Sequence, residues 1–72
     1  MRFPDKHTVD AVRRAYPPGI RIELVQMDDV HAPPVGTQGT VRGIDDTASL
    51  LVDWDTNSSL NVVYGVDKVR RI

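Results

Sequence analysis

At 72 residues the chain has room for one domain, and a chain this short buries only about 60% of the surface it exposes when unfolded. It has no cysteine, which excludes a disulfide or a thiolate metal site as support for the core. Only 6% of it is aromatic, too little for the stacking platform of a single-strand nucleic-acid binder. The net charge of -1 conceals a division. Acidic side chains dominate residues 20–67, where only Arg21 and Arg42 oppose them, while Arg13 and Arg14 precede that stretch and Lys68, Arg70 and Arg71 follow it.

Residues 1–6 contain no apolar signal region, and no later run approaches the ~20 apolar residues of a membrane span. The expectation is a soluble, cytoplasmic protein with no membrane contact, and the missing cysteine fits a reducing compartment.

The first element is a helix. Thr8 is the expected N-cap, with Asp10 in the first turn, where negative charge suits the helix dipole. Val9, Val12, Ala15 and Tyr16 then recur at helical spacing and leave Asp10, Arg13 and Arg14 to water. Pro17-Pro18-Gly19 ends it, because the residue before a proline avoids the α region and neither proline donates an amide hydrogen. About two turns of helix are unstable alone. The apolar stripe is therefore expected to dock on an open end of the β domain, with a partner's groove as the alternative.

From Ile20 the period becomes two. Ile20, Ile22 and Leu24 alternate with Arg21, Glu23 and Val25 as a half-buried strand. Met27 ends that strand, and residues 28–36 form a long loop rich in Asp, Pro and Gly. Residues 37–44 form the second strand, in which Gly39 and Gly43 remove side chains where the strand must coil or bulge. Asp45-Asp46-Thr47-Ala48 turns into a third strand at residues 49–55, with Leu50, Val52 and Trp54 on one face and Leu51, Asp53 and Asp55 on the other. Asp55-Thr56-Asn57-Ser58 is a tight turn in which Asn57 takes positive φ. A fourth strand is expected over residues 59–64, with Leu60 and Val62 facing alike. Gly65 breaks it, and a fifth strand closes the chain at residues 69–72. Short strands with turns every 8–12 residues or so indicate a barrel or sandwich. The length favours a small five-stranded SH3-like barrel, residues 20–72, preceded by a helical segment, residues 1–19.

Gly36-Thr37-x-Gly39-Thr40-Val41, Val52-x-Trp54-Asp55 and Ser58-Ser59-Leu60 carry a resemblance. With Arg21-Ile22-Glu23-Leu24-Val25, Met27-Asp28-Asp29, Asp45-Asp46 and Gly65-Val66-Asp67, they make residues 20–72 resemble a small family catalogued as a domain of unknown function. Its members occur in bacteria, bacteriophages and mobile elements, and the resemblance implies an SH3-like architecture and no catalytic residues. The family's usual Trp-Asp-Asn-Gly turn stands here as Trp54-Asp55-Thr56-Asn57, without its glycine. The helix lies outside the resemblance.

Asp28, Asp29 and His31 form the one cluster with the look of a site. Adjacent aspartates more often cap turns than share a ligand, and no calcium-loop spacing surrounds them. Asp45-Asp46 reads as hairpin chemistry, and Asp55 as a cap on the following turn. His7, Ser49, Ser58 and Ser59 stand in no nucleophile, dyad or triad context. Gly36-x-x-Gly39 precedes no helix and is read as barrel curvature, not a phosphate loop. Trp54 shares parity with Leu50 and Val52 and is read as core. An exposed edge of it, with Tyr64 as partner and residues 30–35 as rim, is the groove reading.

The expected function is a non-enzymatic interaction module without metal or cofactor. Its protein partner meets the acidic loop around Asp28, Asp29, His31 and Pro34, with Tyr64 or an edge of Trp54 as apolar anchor. The alternative is nucleic-acid binding through Arg13, Arg14, Lys68, Arg70 and Arg71, expected on one side of the molecule. Exposed strand edges leave both monomer and homodimer open.

Overall fold

The computed structural model describes residues 5–72; residues 1–4, part of the start read above for a signal region, lie outside that range. Helix α1 spans Lys6–Ala15. Its N-cap is Asp5, not Thr8: the Asp5 carboxylate accepts from the Thr8 N–H at 2.8 Å, so Thr8 already sits inside the first turn. An aspartate three residues ahead of an amide that lacks an intrahelical partner is the geometry of a cap. Val9 and Val12 are buried and Tyr16 is half-buried, whereas Ala15 is exposed, so the helix buries a narrower stripe than its sequence pattern indicates. Tyr16 N–H closes the helix on Val12 O at 2.9 Å, ahead of the two prolines.

Five strands follow: β1 Arg21–Gln26, β2 Gln38–Ile44, β3 Ser49–Trp54, β4 Val62–Val63 and β5 Lys68–Arg71. They form one antiparallel sheet in the order β4-β3-β2-β1-β5, and α1 lies against β2. Ile22 and Leu24 from β1, Val41 from β2, and Leu50, Val52 and Trp54 from β3 all turn inward. With Val62, Ala48 and the two helix valines they make the core. Each fully buried Val, Leu or Ile contributes about 1.5–3 kcal/mol, the main term holding so small a domain together.

Trp54 organises the centre of that core. It is 3% exposed, and its indole Nε1–H donates to Leu60 O at 2.8 Å. A Cβ at Gly39, which faces Trp54 in the register, would stand 2.8 Å from Val52 Cγ1 and 2.9 Å from Trp54 Cε3. The sheet therefore needs a glycine there for packing. At Gly43 it needs none for space: that residue follows the β-bulge in β2, where the register shifts between Val41 and Gly43.

Two expectations are corrected. The sheet is not a closed barrel, for β4 and β5 are its two free edges. They are joined by a short connection whose two ends meet in an isolated bridge between Tyr64 and Asp67, and among the described residues no ladder pairs β4 with β5. The connection bonds to itself. Val63 O accepts from the N–H groups of Val66 and Asp67 at 3.1 and 2.9 Å, and Asp67 Oδ2 accepts from Val63 N–H at 2.9 Å. Nothing on Val63 is left to pair with β5. The fourth strand is also shorter than residues 59–64, because the backbone before it serves Trp54. Ser58 O takes the Trp54 N–H at 3.0 Å and Leu60 O takes the indole, which bends that segment away from a ladder.

Candidate functional site

The long β1–β2 loop is pinned at both ends. Gly36 N–H donates to Leu24 O, Leu24 N–H donates to Thr37 O, and the Thr37 hydroxyl donates to Pro34 O at 2.6 Å. Within it, the Asp29 carboxylate accepts from His31 N–H at 2.7 Å, an Asx turn. The adjacent aspartates thus include one that shapes the loop, as the turn reading expects. Val30 and Val35, at 95% and 71% exposed, stand out from the loop into solvent.

Asp28 and Asp29 wall a groove of ≈ 360 Å³ whose other lining includes Met27, Leu60, Val63, Val66 and Asp67. Apolar side chains and carboxylates thus share its lining. Tyr64, 52% exposed, lies in a neighbouring groove of ≈ 450 Å³ with Tyr16, Leu50, Val62, Lys68 and Val69. Asp67 borders both. The structure therefore brings Asp28 and Asp29 together with Asp67 and sets Tyr64 one groove away. His31 and Pro34 are exposed on the loop and line neither groove. Trp54 offers no edge to a ligand, since its ring is enclosed by the core and its N–H is bonded. Sequence reasoning placed it correctly in the interior and missed Val63, Val66 and Asp67 as groove residues. The signal for them was the spacing of Val63 and Asp67 across Gly65, which has φ 86° and permits a tight reversal.

The basic residues do not share one surface. Arg13 donates to Ile44 O and lies 3.4 Å from Asp46 and 3.9 Å from Asp10. Arg70 pairs with Glu23 at 2.9 Å. Arg70 sits opposite Glu23 and Arg71 opposite Ile22, so the two neighbours point to opposite faces of the sheet. Arg14, Lys68 and Arg71 make no ion pair among the described residues.

The outer face of β1, β2 and β3 carries paired charge. Arg21 grips Asp55 through two bonds of 2.9 and 2.6 Å and also donates to Thr40 Oγ1, while Arg42 meets Asp53 at 3.0 Å. Asp55 is thus an ion-pair partner and not the expected cap. Its hydrogen bond from Arg21 holds its carboxyl below the usual range and raises Arg21 in turn. Asp45 behaves as the hairpin reading expects. Burial pushes its carboxyl up, but bonds from the Thr47 hydroxyl and from Ser49 and Thr47 N–H outweigh that and leave it lowered. Ser49 and Ser58 make local bonds, to Thr47 Oγ1 and from Leu60 N–H. Among the described residues no three His, Asp or Glu side chains gather as metal ligands, and no helix is long and apolar enough to cross a membrane.

No curated protein and no solved structure matches the chain. The model of a family described as a domain of unknown function, DUF4314, matches residues 5–72 and so takes in α1, which the resemblance over residues 20–72 left outside. With nearly the whole chain matched, helix and sheet alike, the protein belongs to the DUF4314 family.

Proposed function

We propose that the chain is a non-enzymatic protein-interaction module whose partner docks between the β1–β2 loop and the β4–β5 connection. The observation that carries this reading is the groove that Met27, Leu60, Val63 and Val66 line together with Asp28, Asp29 and Asp67. An apolar lining with a few convergent polar groups is the usual character of a recognition site. Its chemistry suits a segment that presents Lys or Arg beside an apolar side chain. The carboxylates raise the rate of encounter, and the apolar contact supplies most of the affinity.

The architecture behind this proposal is an SH3-like barrel left open along one seam. It is supported by the meander order, with β1 between β2 and β5, and by the long β1–β2 loop. A cytoplasmic setting in a bacterium or phage-infected cell belongs to the same proposal, and the cysteine-free core fits it.

The test is a titration of the isotope-labelled chain with a short peptide alternating Arg and Leu. Shifts should concentrate at Asp28, Asp29, Val63 and Val66, and Val66→Asp should remove them without unfolding the protein. Shifts confined to the outer face of β1–β3 would refute the site. Phosphate binding by Arg14, Lys68 and Arg71 is the competing reading; retardation of an oligonucleotide at low salt, lost steeply as salt rises, would favour it.

A further inference from the structure

We propose that the outer edge of β5 is a second docking site, which takes an extended segment of a partner protein in which apolar residues alternate with Asp or Glu. Ile72 N–H donates to Arg21 O at 3.1 Å, and the register sets Ile22 opposite Arg71 and Leu24 opposite Val69. Bonded and non-bonded pairs alternate along an antiparallel ladder. Arg70 and Ile72 therefore bond to β1, while the N–H and C=O groups of Val69 and Arg71 point away from it. β5 lies at the edge of the sheet, so among the described residues those groups face no further strand.

The opposite edge differs. At β4 the Val63 N–H and C=O are held by Asp67 and Val66 of the following turn. Of the two edges, β5 is the one that presents open backbone to an incoming strand.

The surroundings specify the occupant. The ≈ 450 Å³ groove beside β5 has Tyr16, Leu50, Val62 and Val69 as apolar lining, with Asp67 and Lys68 as its charged residues. An extended segment sends successive side chains to opposite sides. Every second one enters this groove on the side of Val69, and the intervening acidic ones fall on the other face beside Lys68 and Arg70. Lys68 has no carboxylate partner among the described residues, and Arg70 already meets Glu23. A second copy of this chain does not fit. Antiparallel pairing of β5 with β5 would oppose Lys68 to Arg70, Arg70 to Arg70 or Arg71 to Arg71, according to which of Val69, Arg70 and Arg71 lies on the axis. Like charges opposed across strands destabilise the pair. Strand addition also differs from the proposed docking at the acidic groove, which uses no free sheet edge.

Amide exchange of the labelled whole chain tests this. The probes are a peptide of about six residues alternating Val and Glu, the same peptide with Lys for Glu, an N-methylated copy and an oligothymidine. At about ten times its Kd, the Val–Glu peptide should slow exchange at Val69 and Arg71 about tenfold. Arg70 and Ile72, already bonded to β1, should change little. The N-methylated copy should have no effect. The variant K68E should weaken binding about fivefold with an unchanged unfolding midpoint, as one exposed ion pair predicts, while R71E, on the groove face, should change it less. Unchanged exchange at Val69 and Arg71, equal protection by the Lys peptide, or protection by the oligothymidine in place of the peptide would each overturn the proposal.

Discussion

The β1–β3 half of the molecule and the β4–β5 end are built on opposite terms. In the first, strands of six and seven residues pair along most of their length, broken by one bulge in β2, and the outer charges are matched as Arg21–Asp55 and Arg42–Asp53. In the second, β4 has two residues, and Val63, Tyr64 and Val66 stand 43%, 52% and 70% exposed. Asp28, Lys68 and Arg71 there face no partner charge among the described residues. One half satisfies its own groups and carries the stability. The other leaves apolar surface and charge for something else, and it contains both proposed docking sites.

Breaking the first half should cost most. Trp54→Ala removes the central core side chain and the bond to Leu60 O, so a loss of about 3–5 kcal/mol is expected, read from the denaturant midpoint. That approaches the whole stability of a small domain. Gly39→Ala comes next. Its methyl would press on Val52 and Trp54, and overpacking of this kind costs about 1–3 kcal/mol, measured in the same way. A neutral result would show that β2 and β3 separate more readily than their packing implies.

Asp67→Ala sharpens the comparison. It strips Val63 N–H of its acceptor for about 1 kcal/mol and opens the β4 edge. Faster amide exchange should be confined to Val63 and its following turn; loss of protection in β1 or β2 would mean that the two halves unfold as one.

The smallest effect is in pH. Asp55 and Asp45 are held below their ordinary value of 3.8 in the fold, so near that pH the unfolded chain binds more protons. Their contribution is full above about pH 4 and disappears as pH falls through the lower folded values. Thermal midpoints measured between pH 5 and pH 2 should fall more shallowly for Asp55→Asn than for the parent chain, and the difference should shrink in high salt.

Much of the architecture was legible in the chain. The alternation of Ile22 and Leu24, and of Leu50, Val52 and Trp54, gave both strand identity and buried face, because side chains in a strand reverse direction at every residue. Asn57 was readable as a positive-φ residue and has φ 67°. The helix was found but its cap was not, since Asp5 and Thr8 are both good caps and only the path of the backbone chooses between them. The candidate site was half legible. Asp28 and Asp29 were visible as a cluster, but their groove partners Val63, Val66 and Asp67 lie far along the sequence and carry no local motif.

Periodicity and turn chemistry by themselves determined the element order, the core face of each strand and the division of charge along the chain. Tertiary structure alone decided that Asp55 pairs with Arg21 instead of capping its turn, that Leu60 gives its carbonyl to Trp54, and that the sheet stays open between β4 and β5. The reason is the same in each case. A polar group bonds to whatever the fold brings within about 3 Å, and which residues those are depends on contacts between segments distant in sequence.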